Sequence, residues 1–130
     1  MYGIGNNDFG QLLIKKDNIR GEFRIIDSPI FNNIKIKKIS LNMCATIILT
    51  KNPSKVFSFG YGVFGELGNG EHHNNKQEIE FFKNLPQYKK IIDISSTYTY
   101  SLALSKNNEV YFWGTFEETT HNIPTKIYKI

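Results

Sequence analysis

Apolar and polar residues alternate with the period of a β-strand over several short stretches of the chain. In KVFSFG, Phe57 and Phe59 flank Ser58, and the isoleucines of IIDIS repeat this pattern, so the side chains divide between two faces. The runs TIILT and YSLALS are rich in strand-forming residues and are bounded by polar turn sequences such as KNPSK and KNNE. No long stretch has apolar positions at helical spacing. The pattern therefore predicts an all-β fold of short antiparallel strands.

The strands belong to an internal repeat with a spacing of 55 residues. GNNDFGQL, which begins at Gly5, aligns with GYGVFGEL, which begins at Gly60. KKISLNMCATIILTK aligns with IDISSTYTYSLALSK at the same spacing, and SKVFSFG aligns with NEVYFWG at 54 residues because one residue is lost in a turn. Each repeat supplies about four short strands, which is the content of one β-propeller blade. The glycines of FGYGVFGELGNG would then carry the chain through a turn at the end of a blade.

The same glycines permit a second interpretation. Gly60, Gly62 and Gly65 match the pattern G-x-G-x-x-G, which occurs in loops that bind nucleotide phosphates. Those loops present the N-terminus of a helix to the phosphate. The sequence that follows, ELGNGEHHNNKQE, is polar and rich in turn residues, and this favours the blade turn.

These blocks resemble the repeat of the regulator-of-chromosome-condensation family. VFSFGYGVFGELGNG, followed by IIDISSTYTYSLALSKNNEVYFWG, is similar to that family's aromatic-x-Trp-Gly strand, Gly-Gln-Leu-Gly turn and later strands. The positions that carry the resemblance are Gly5, Phe9, Gly10, Gln11, Leu12, Gly60, Phe64, Gly65, Leu67, Gly68, Trp113 and Gly114. The resemblance implies a partial β-propeller of antiparallel four-stranded blades, with Trp113 buried within or between blades.

The repeats divide the chain into residues 1–55, residues 56–109 and the front half of a third repeat at residues 110–130. Propellers of the family close with seven blades, so about two and a half repeats would leave packing faces open. We expect the chain either to be part of a longer protein or to be completed by other chains, three copies of itself being one arrangement. Association through the open faces is therefore predicted.

The chain departs from the family pattern at two turns. Asn42 and Thr97 stand where the family usually has a glycine, and Ala45 and Tyr100 stand where it has a histidine. A β-branched residue adopts positive φ poorly. We therefore predict that the turn at Thr97 is built differently from the turn at Asn42.

Composition narrows the functional classes. No apolar run approaches the roughly 18–20 residues of a membrane span, and the N-terminal MYGIGNNDFG lacks the pattern of a signal peptide. A single cysteine excludes an intrachain disulfide, so an intracellular protein of the cytoplasm or nucleus is predicted. The net charge of +4 is a weak guide to nucleic acid, because isoleucine (18), lysine (14) and asparagine (14) share A/T-rich codons and dominate the composition.

The sequence contains no recognisable metal-binding pattern. His72 and His73 are adjacent and point apart, and Glu71, Glu66 and His121 complete no known ligand spacing. A solvent-exposed loop is the simpler interpretation of the two histidines. We predict no metal and no cofactor.

Catalytic patterns are also missing from the sequence. Cys44 starts an apolar strand outside any catalytic signature and is predicted to be a small buried side chain. Glu117 and Glu118 are neighbours rather than a spaced acid–base pair. The sequence therefore predicts a protein without enzyme activity.

One charged pattern recurs in both repeats. Lys35, Lys37 and Lys38 precede one strand, Lys89 and Lys90 precede its counterpart, and Lys35 aligns with Lys90. These lysines define a candidate basic edge that would bind an acidic protein surface or a phosphate backbone. Alternatively, they protect an exposed strand edge against aggregation.

The residues and the resemblance together favour a non-catalytic structural and protein-interaction module within a larger propeller or assembly. The resemblance implies two alternatives. One is a guanine-nucleotide exchange factor for a Ran-like small GTPase, associated with chromatin, and the other is a component of an RNA-containing assembly. Expected partners are further blades, copies of the chain or a large assembly, with a small GTPase and nucleic acid as alternatives and no membrane.

Overall fold

The computed structural model describes residues 2–12, 24–25, 29–70 and 78–130. These residues form antiparallel sheets of two, three and four strands. The strands are β1 (Tyr2–Gly3), β2 (Arg24–Ile25), β3 (Lys35–Leu41), β4 (Ala45–Lys51), β5 (Val56–Gly60), β6 (Ile91–Ser96), β7 (Tyr100–Ser105), β8 (Glu109–Phe116) and β9 (Thr119–Lys129). The sheet orders are β1-β2, β3-β4-β5 and β6-β7-β8-β9. This architecture confirms the all-β prediction.

The described residues include two 3-10 turns, Pro29–Phe31 and Gln87–Lys89, and one short α-helix, α1 (Glu80–Lys83). The periodicity of the sequence gives no sign of α1. It is a single turn, which is too short to produce a helical pattern of apolar positions. None of the helices in the described ranges could cross a membrane, since none is long and apolar enough.

The two larger sheets repeat each other in detail. Residues related by the 55-residue spacing, or by 54 after the lost residue, are called equivalent here. Ala45 pairs with Gly60 in the first sheet, and the equivalent Tyr100 pairs with Gly114 in the second. Each sheet also has a register shift at the same place, between positions 36 and 38 and between positions 91 and 93. The internal repeat therefore determines strand pairing as well as sequence.

The four-stranded sheet is assembled across the boundary between repeats. Its strands β6 and β7 precede residue 109, whereas β8 and β9 follow it. By the same spacing, β1 is equivalent to parts of β5 and β8, each of which is the third strand of its sheet. Each of the two larger sheets thus takes its first two strands from one repeat and the rest from the next.

The main hydrophobic core lies between the three-stranded and four-stranded sheets. The first sheet contributes Ile47, Leu49 and Val56, and α1 and its preceding residue contribute Phe82 and Ile79. The second sheet contributes Ile91, Ile94, Ala103, Tyr111 and Trp113. Trp113 is 0% exposed, which agrees with the prediction of its burial. The two sheets are therefore held together by apolar side chains that alternate with those on their other faces.

A smaller cluster covers the opposite face of the first sheet. Ile48, Phe57 and Phe59 project from this face and pack against Ile30, Phe31 and Ile36. Because both faces are covered, β4 is buried continuously from Ala45 to Thr50.

The turns at Asn42 and Thr97 follow the same design. The N–H of Asn42 donates to the carbonyl of Ala45 at 3.0 Å, and the N–H of Thr97 donates to the carbonyl of Tyr100 at 2.9 Å. Neither Asn42 nor Thr97 has positive φ, so a β-branched residue is accommodated without strain. The predicted difference is therefore absent from the backbone and lies in the side chains, because Asn42 Oδ1 accepts hydrogen bonds from the N–H groups of Cys44 and Ala45 at 3.1 and 2.6 Å.

Candidate interaction surfaces

The glycine-rich turn after β5 repeats a hydrogen bond found near the N-terminus. The N–H of Phe64 donates to Oε2 of Glu66 at 2.8 Å, and the N–H of Phe9 donates to Oε1 of Gln11 at 3.0 Å. Glutamate and glutamine both offer a side-chain oxygen at this position, so either residue closes the turn. This equivalence explains how the acidic residue replaces the amide in the second repeat.

The same turn joins the first sheet to the second. The indole Nε1 of Trp113 donates to the carbonyl of Glu66 at 2.9 Å, and the N–H of Gly70 donates to the carbonyl of Asn122 at 2.8 Å. A Cβ on Gly68, whose φ is +67°, would lie 2.9 Å from the Trp113 ring. The glycines therefore allow the turn to pack against the neighbouring sheet, which supports the blade turn over a phosphate loop.

One face of the second sheet lacks the covering that its counterpart has. Leu102, Leu104 and Val110 are equivalent to Ile47, Leu49 and Val56 of the main core. The three core residues are 0%, 0% and 1% exposed, whereas their three counterparts are only half-buried. Phe112 lies on the same face and is also half-buried. We call the surface formed by Leu102, Leu104, Val110 and Phe112 the open face.

Charge is distributed unequally between the two ends of the strands. We call the end that carries the β4–β5 loop and the start of β6 the basic end. It carries nine of the described lysines, namely Lys35, Lys51, Lys55, Lys83, Lys89, Lys90, Lys106, Lys126 and Lys129. The opposite end bears exposed apolar residues such as Met43, Tyr61, Phe64 and Tyr98. A partner would therefore meet quite different chemistry at the two ends.

The lysines of the candidate basic edge fall into two groups. Lys35, Lys89 and Lys90 lie at the basic end. Lys37 and Lys38 instead reach across to β6, where Lys37 Nζ donates to the carbonyl of Ile92 and Lys38 Nζ lies 2.7 Å from Oδ1 of Asp93. The hydrogen bond from Lys38 lowers the pKa of the Asp93 carboxyl. These two lysines thus contribute to contact between the sheets.

Glu109 forms a buried ionic cluster that the sequence did not reveal. Its side chain is 6% exposed and lies 3.3 Å from Lys89 Nζ and 3.6 Å from Lys126 Nζ. The Tyr111 hydroxyl donates to Oε2 of Glu109 at 2.7 Å. This hydrogen bond, aided by Lys89, lowers the pKa of Glu109 to about 2 despite burial, and burial next to Glu109 raises the pKa of Tyr111. The alternation of Glu109 and Tyr111 along β8 is the signal that could have indicated their contact.

The first sheet carries the same ion pair with its charges exchanged. Lys55 is equivalent to Glu109, and its Nζ lies 3.1 Å from Oε2 of Glu78. The backbone of Glu78 forms an antiparallel β-bridge with Phe57. In the second sheet, the backbone of Lys126 pairs in the same way with Tyr111, the equivalent of Phe57. Cation and anion have therefore changed places between the two sheets.

Cys44 is only half-buried, so the prediction of a buried cysteine was wrong. It lies in the turn before β4, and its carbonyl accepts a hydrogen bond from the N–H of Tyr61 at 3.0 Å. Partial burial, together with Glu66, raises the pKa of its thiol, which disfavours the reactive thiolate.

The other candidate residues form no reactive cluster where they are described. His121 Nδ1 lies 3.1 Å from Oγ1 of Thr125, and Glu117 and Glu118 are exposed in the β8–β9 turn. His72, His73 and Glu71 lie outside the described residues. Across residues 2–12, 24–25, 29–70 and 78–130, no three histidine, cysteine, aspartate or glutamate side chains converge to hold a metal ion.

The packed antiparallel sheets define a segment of a β-propeller. The crystal structure of human WBSCR16 matches 98% of this chain with a TM-score of 0.72 and 17% identity, and the chain covers 34% of it. Yeast RCC1 (Prp20), solved with Kap60 bound, matches 96% of the chain with a TM-score of 0.68 and 18% identity, and the chain covers 32% of it.

Sequence comparisons identify the repeat itself. The regulator of chromosome condensation (RCC1) repeat matches residues 54–104. An RCC1 repeat-containing protein of Dictyostelium discoideum is 32% identical over 119 residues, which are 92% of this chain and 24% of that protein. Residues 54–104 therefore belong to the RCC1 repeat family, and the chain spans about a quarter of the length of this relative.

Proposed function

We propose that the chain is a non-catalytic structural and protein-interaction module whose open face packs against a further propeller blade. The observation that carries this proposal is the difference in burial between equivalent residues. Ile47 and Leu49 are fully buried by the second sheet, whereas Leu102 and Leu104 occupy the same positions on a sheet with no described neighbour on that side.

The chemistry of the open face supports a blade as its partner. Its leucine and valine side chains correspond to Ile47, Leu49 and Val56, which the first sheet already presents to the second. Phe112, at the position equivalent to Ser58, adds a further apolar side chain. The surface that meets the first sheet consists of Ile91, Ile94, Ala103, Tyr111 and Trp113. A sheet with a similar apolar face, from a longer chain, a second copy or another propeller protein, would remove the open face from water.

Light scattering over a dilution series tests this proposal. We expect the purified chain to associate, and we expect Leu104→Lys to weaken association because it places a charge on the open face. Leu41→Lys is the matched control, since Leu41 is 64% exposed at the end of β3 and lies outside the open face. The proposal is wrong if the unmodified chain stays a folded monomer at high concentration and binds little dye specific for apolar surface.

The fold match to yeast RCC1 bound to Kap60 supports the use of such a propeller for docking proteins. The exchange-factor alternative requires the chain to accelerate nucleotide release from a Ran-like GTPase at catalytic concentrations. The RNA-assembly alternative requires RNA binding that weakens steeply with salt. No contact among the described residues favours either alternative over the interaction module.

A further inference from the structure

A cavity of about 380 Å³ opens at the basic end of the strands. It lies between the β4–β5 loop, α1 and the segment that leads into β6. Its volume lies within the range of small-molecule sites in proteins. The cavity is remote from the open face, because it occupies the strand ends rather than the exposed side of the second sheet.

The floor of the cavity is apolar. Val56, Phe82 and Ile91 form its base and are only 1%, 8% and 3% exposed, so the apolar surface open to a ligand comes mainly from Pro53 and the half-buried Leu85, which also line the cavity. The side chain of Ser54 closes one side by donating to the carbonyl of Ile91 at 2.5 Å. An apolar group that entered the cavity would therefore meet a preformed apolar surface.

The rim of the cavity carries an excess of positive charge. Among the described residues, Lys55, Lys83 and Lys90 line it together with one carboxylate, Glu78. Glu78 is paired with Lys55 at 3.1 Å, so the charges of Lys83 and Lys90 remain in excess at the rim. Within the described part of the chain, Lys83 pairs with Glu80 at 3.9 Å, on an exposed turn where such a pair contributes little to stability.

The backbone around Lys90 is held in place. Its N–H donates to the carbonyl of Gln87 at 3.3 Å, and its carbonyl accepts from the N–H of Lys106 at 2.9 Å. The side chain is half-buried at the mouth of the cavity. The backbone of Lys90 is therefore already ordered, so less conformational entropy is lost when its side chain binds an anion.

We propose that this cavity binds an apolar group that ends in a carboxylate. The apolar body would lie against Pro53 and Leu85, above the floor formed by Val56, Phe82 and Ile91. The carboxylate would accept hydrogen bonds from Lys83 and Lys90. A bare inorganic anion would leave the apolar floor unused. The carboxylate could belong to a free organic acid or to an acidic side chain in an apolar peptide, because both present the same chemistry.

Titrations of the full 130-residue chain, followed by NMR chemical shifts, test the site. The probes are 4-phenylbutyrate, its neutral amide and inorganic phosphate, together with the capped peptides Leu-Glu-Leu and Leu-Gln-Leu. We expect 4-phenylbutyrate or Leu-Glu-Leu to bind at least about fivefold more tightly than its neutral counterpart and than phosphate. Preference for the free acid or for the peptide identifies the source of the carboxylate.

Variants at the rim locate the binding site. Lys83→Gln combined with Lys90→Gln should weaken binding of the preferred acid by about tenfold or more. Lys51→Gln, at an exposed lysine at the end of β4 outside the cavity, should leave binding unchanged. Fluorescence of the single tryptophan, Trp113, verifies that each variant keeps its core. Equal binding of acid and amide, equal binding of phosphate, equal loss in the Lys51 variant, or no binding of either acid would each overturn the proposal.

Discussion

The three-stranded and four-stranded sheets carry the same apolar pattern in different surroundings. Leu49 in the first sheet is 0% exposed because the second sheet covers it, whereas the equivalent Leu104 is half-buried on the open face. Strand pairing and side-chain alternation are the same at both positions. The difference shows that the burial of a blade residue depends on the neighbouring blade as well as on its own strand.

The largest expected effect is on the free energy of unfolding, and it distinguishes the covered face of β8 from its open face. Trp113→Ala should lower the free energy of unfolding by about 3–5 kcal/mol, because it empties a large volume in the core and removes the hydrogen bond to Glu66. Phe112→Ala, at the adjacent half-buried position, should cost about 1–2 kcal/mol in the isolated chain. Urea unfolding monitored by circular dichroism measures both changes. Equal losses would contradict the assignment of Trp113 to the covered face and Phe112 to the open one.

A second pair of variants compares equivalent leucines directly. Leu49→Ala should cost about 2–5 kcal/mol, since it leaves a cavity between two packed sheets. Leu104→Ala should cost about 1 kcal/mol, because water already reaches that side chain. The same urea experiment applies, carried out at a concentration where the chain is monomeric. If a partner blade is supplied, the cost of Leu104→Ala should rise towards that of Leu49→Ala, and an unchanged cost would argue against a blade on the open face.

A smaller effect concerns the turn that joins the sheets. Glu66→Ala should cost about 1–3 kcal/mol, because the N–H of Phe64 loses the buried Glu66 side chain as its acceptor. Glu66→Gln should restore most of this stability, since Gln11 makes the equivalent contact with Phe9. Thermal unfolding of the two variants distinguishes the outcomes. A glutamine variant as unstable as the alanine variant would show that the two turns are not interchangeable.

The smallest expected effect depends on pH. The folded-state pKa of Glu109, about 2, lies below the ordinary value of 4.5, so its ionised form stabilises the folded state above pH 4.5. This contribution is lost as the pH falls from about 4.5 to about 2. Glu109→Gln should therefore lower the melting temperature at pH 7, and the difference from the unmodified chain should shrink towards pH 2.

A control for this pH experiment is Glu118→Gln, which changes an exposed side chain in the β8–β9 turn and should leave the melting temperature unaltered. A difference for Glu109→Gln that stayed constant from pH 7 to pH 2 would contradict the ionic cluster. A difference that shrinks towards pH 2 would instead support the ionic cluster. It would also sharpen the comparison between the sheets, because Lys55 and Glu78 occupy the positions equivalent to Glu109 and Lys126 with the charges exchanged.

Local chemistry made much of the fold predictable. Short antiparallel strands were predicted from the alternation around Ser58 and from the 55-residue spacing. The blade turn was predicted from the glycines between Gly60 and Gly70. These features depend on the steric limits of one residue or on the two-residue period of a strand, so they can be recognised without knowledge of the fold. The same local reasoning failed at Thr97, because it assumed a left-handed residue where the turn uses none.

Tertiary structure decided how the side chains are used. Lys38 and Lys89 look alike in the sequence, yet one bonds to the next sheet and the other to a buried glutamate. The pairing of Lys55 with Glu78, the burial of Glu66 and the cavity beside Lys90 all require segments that are distant in the chain to meet. Electrostatic partners and burial depend on distances in space, and a strand period specifies only which side of its own sheet a residue occupies. The sequence alone therefore determined the blade and its turns, whereas the packing of one blade against the next decided which residues became core, ion pair or open surface.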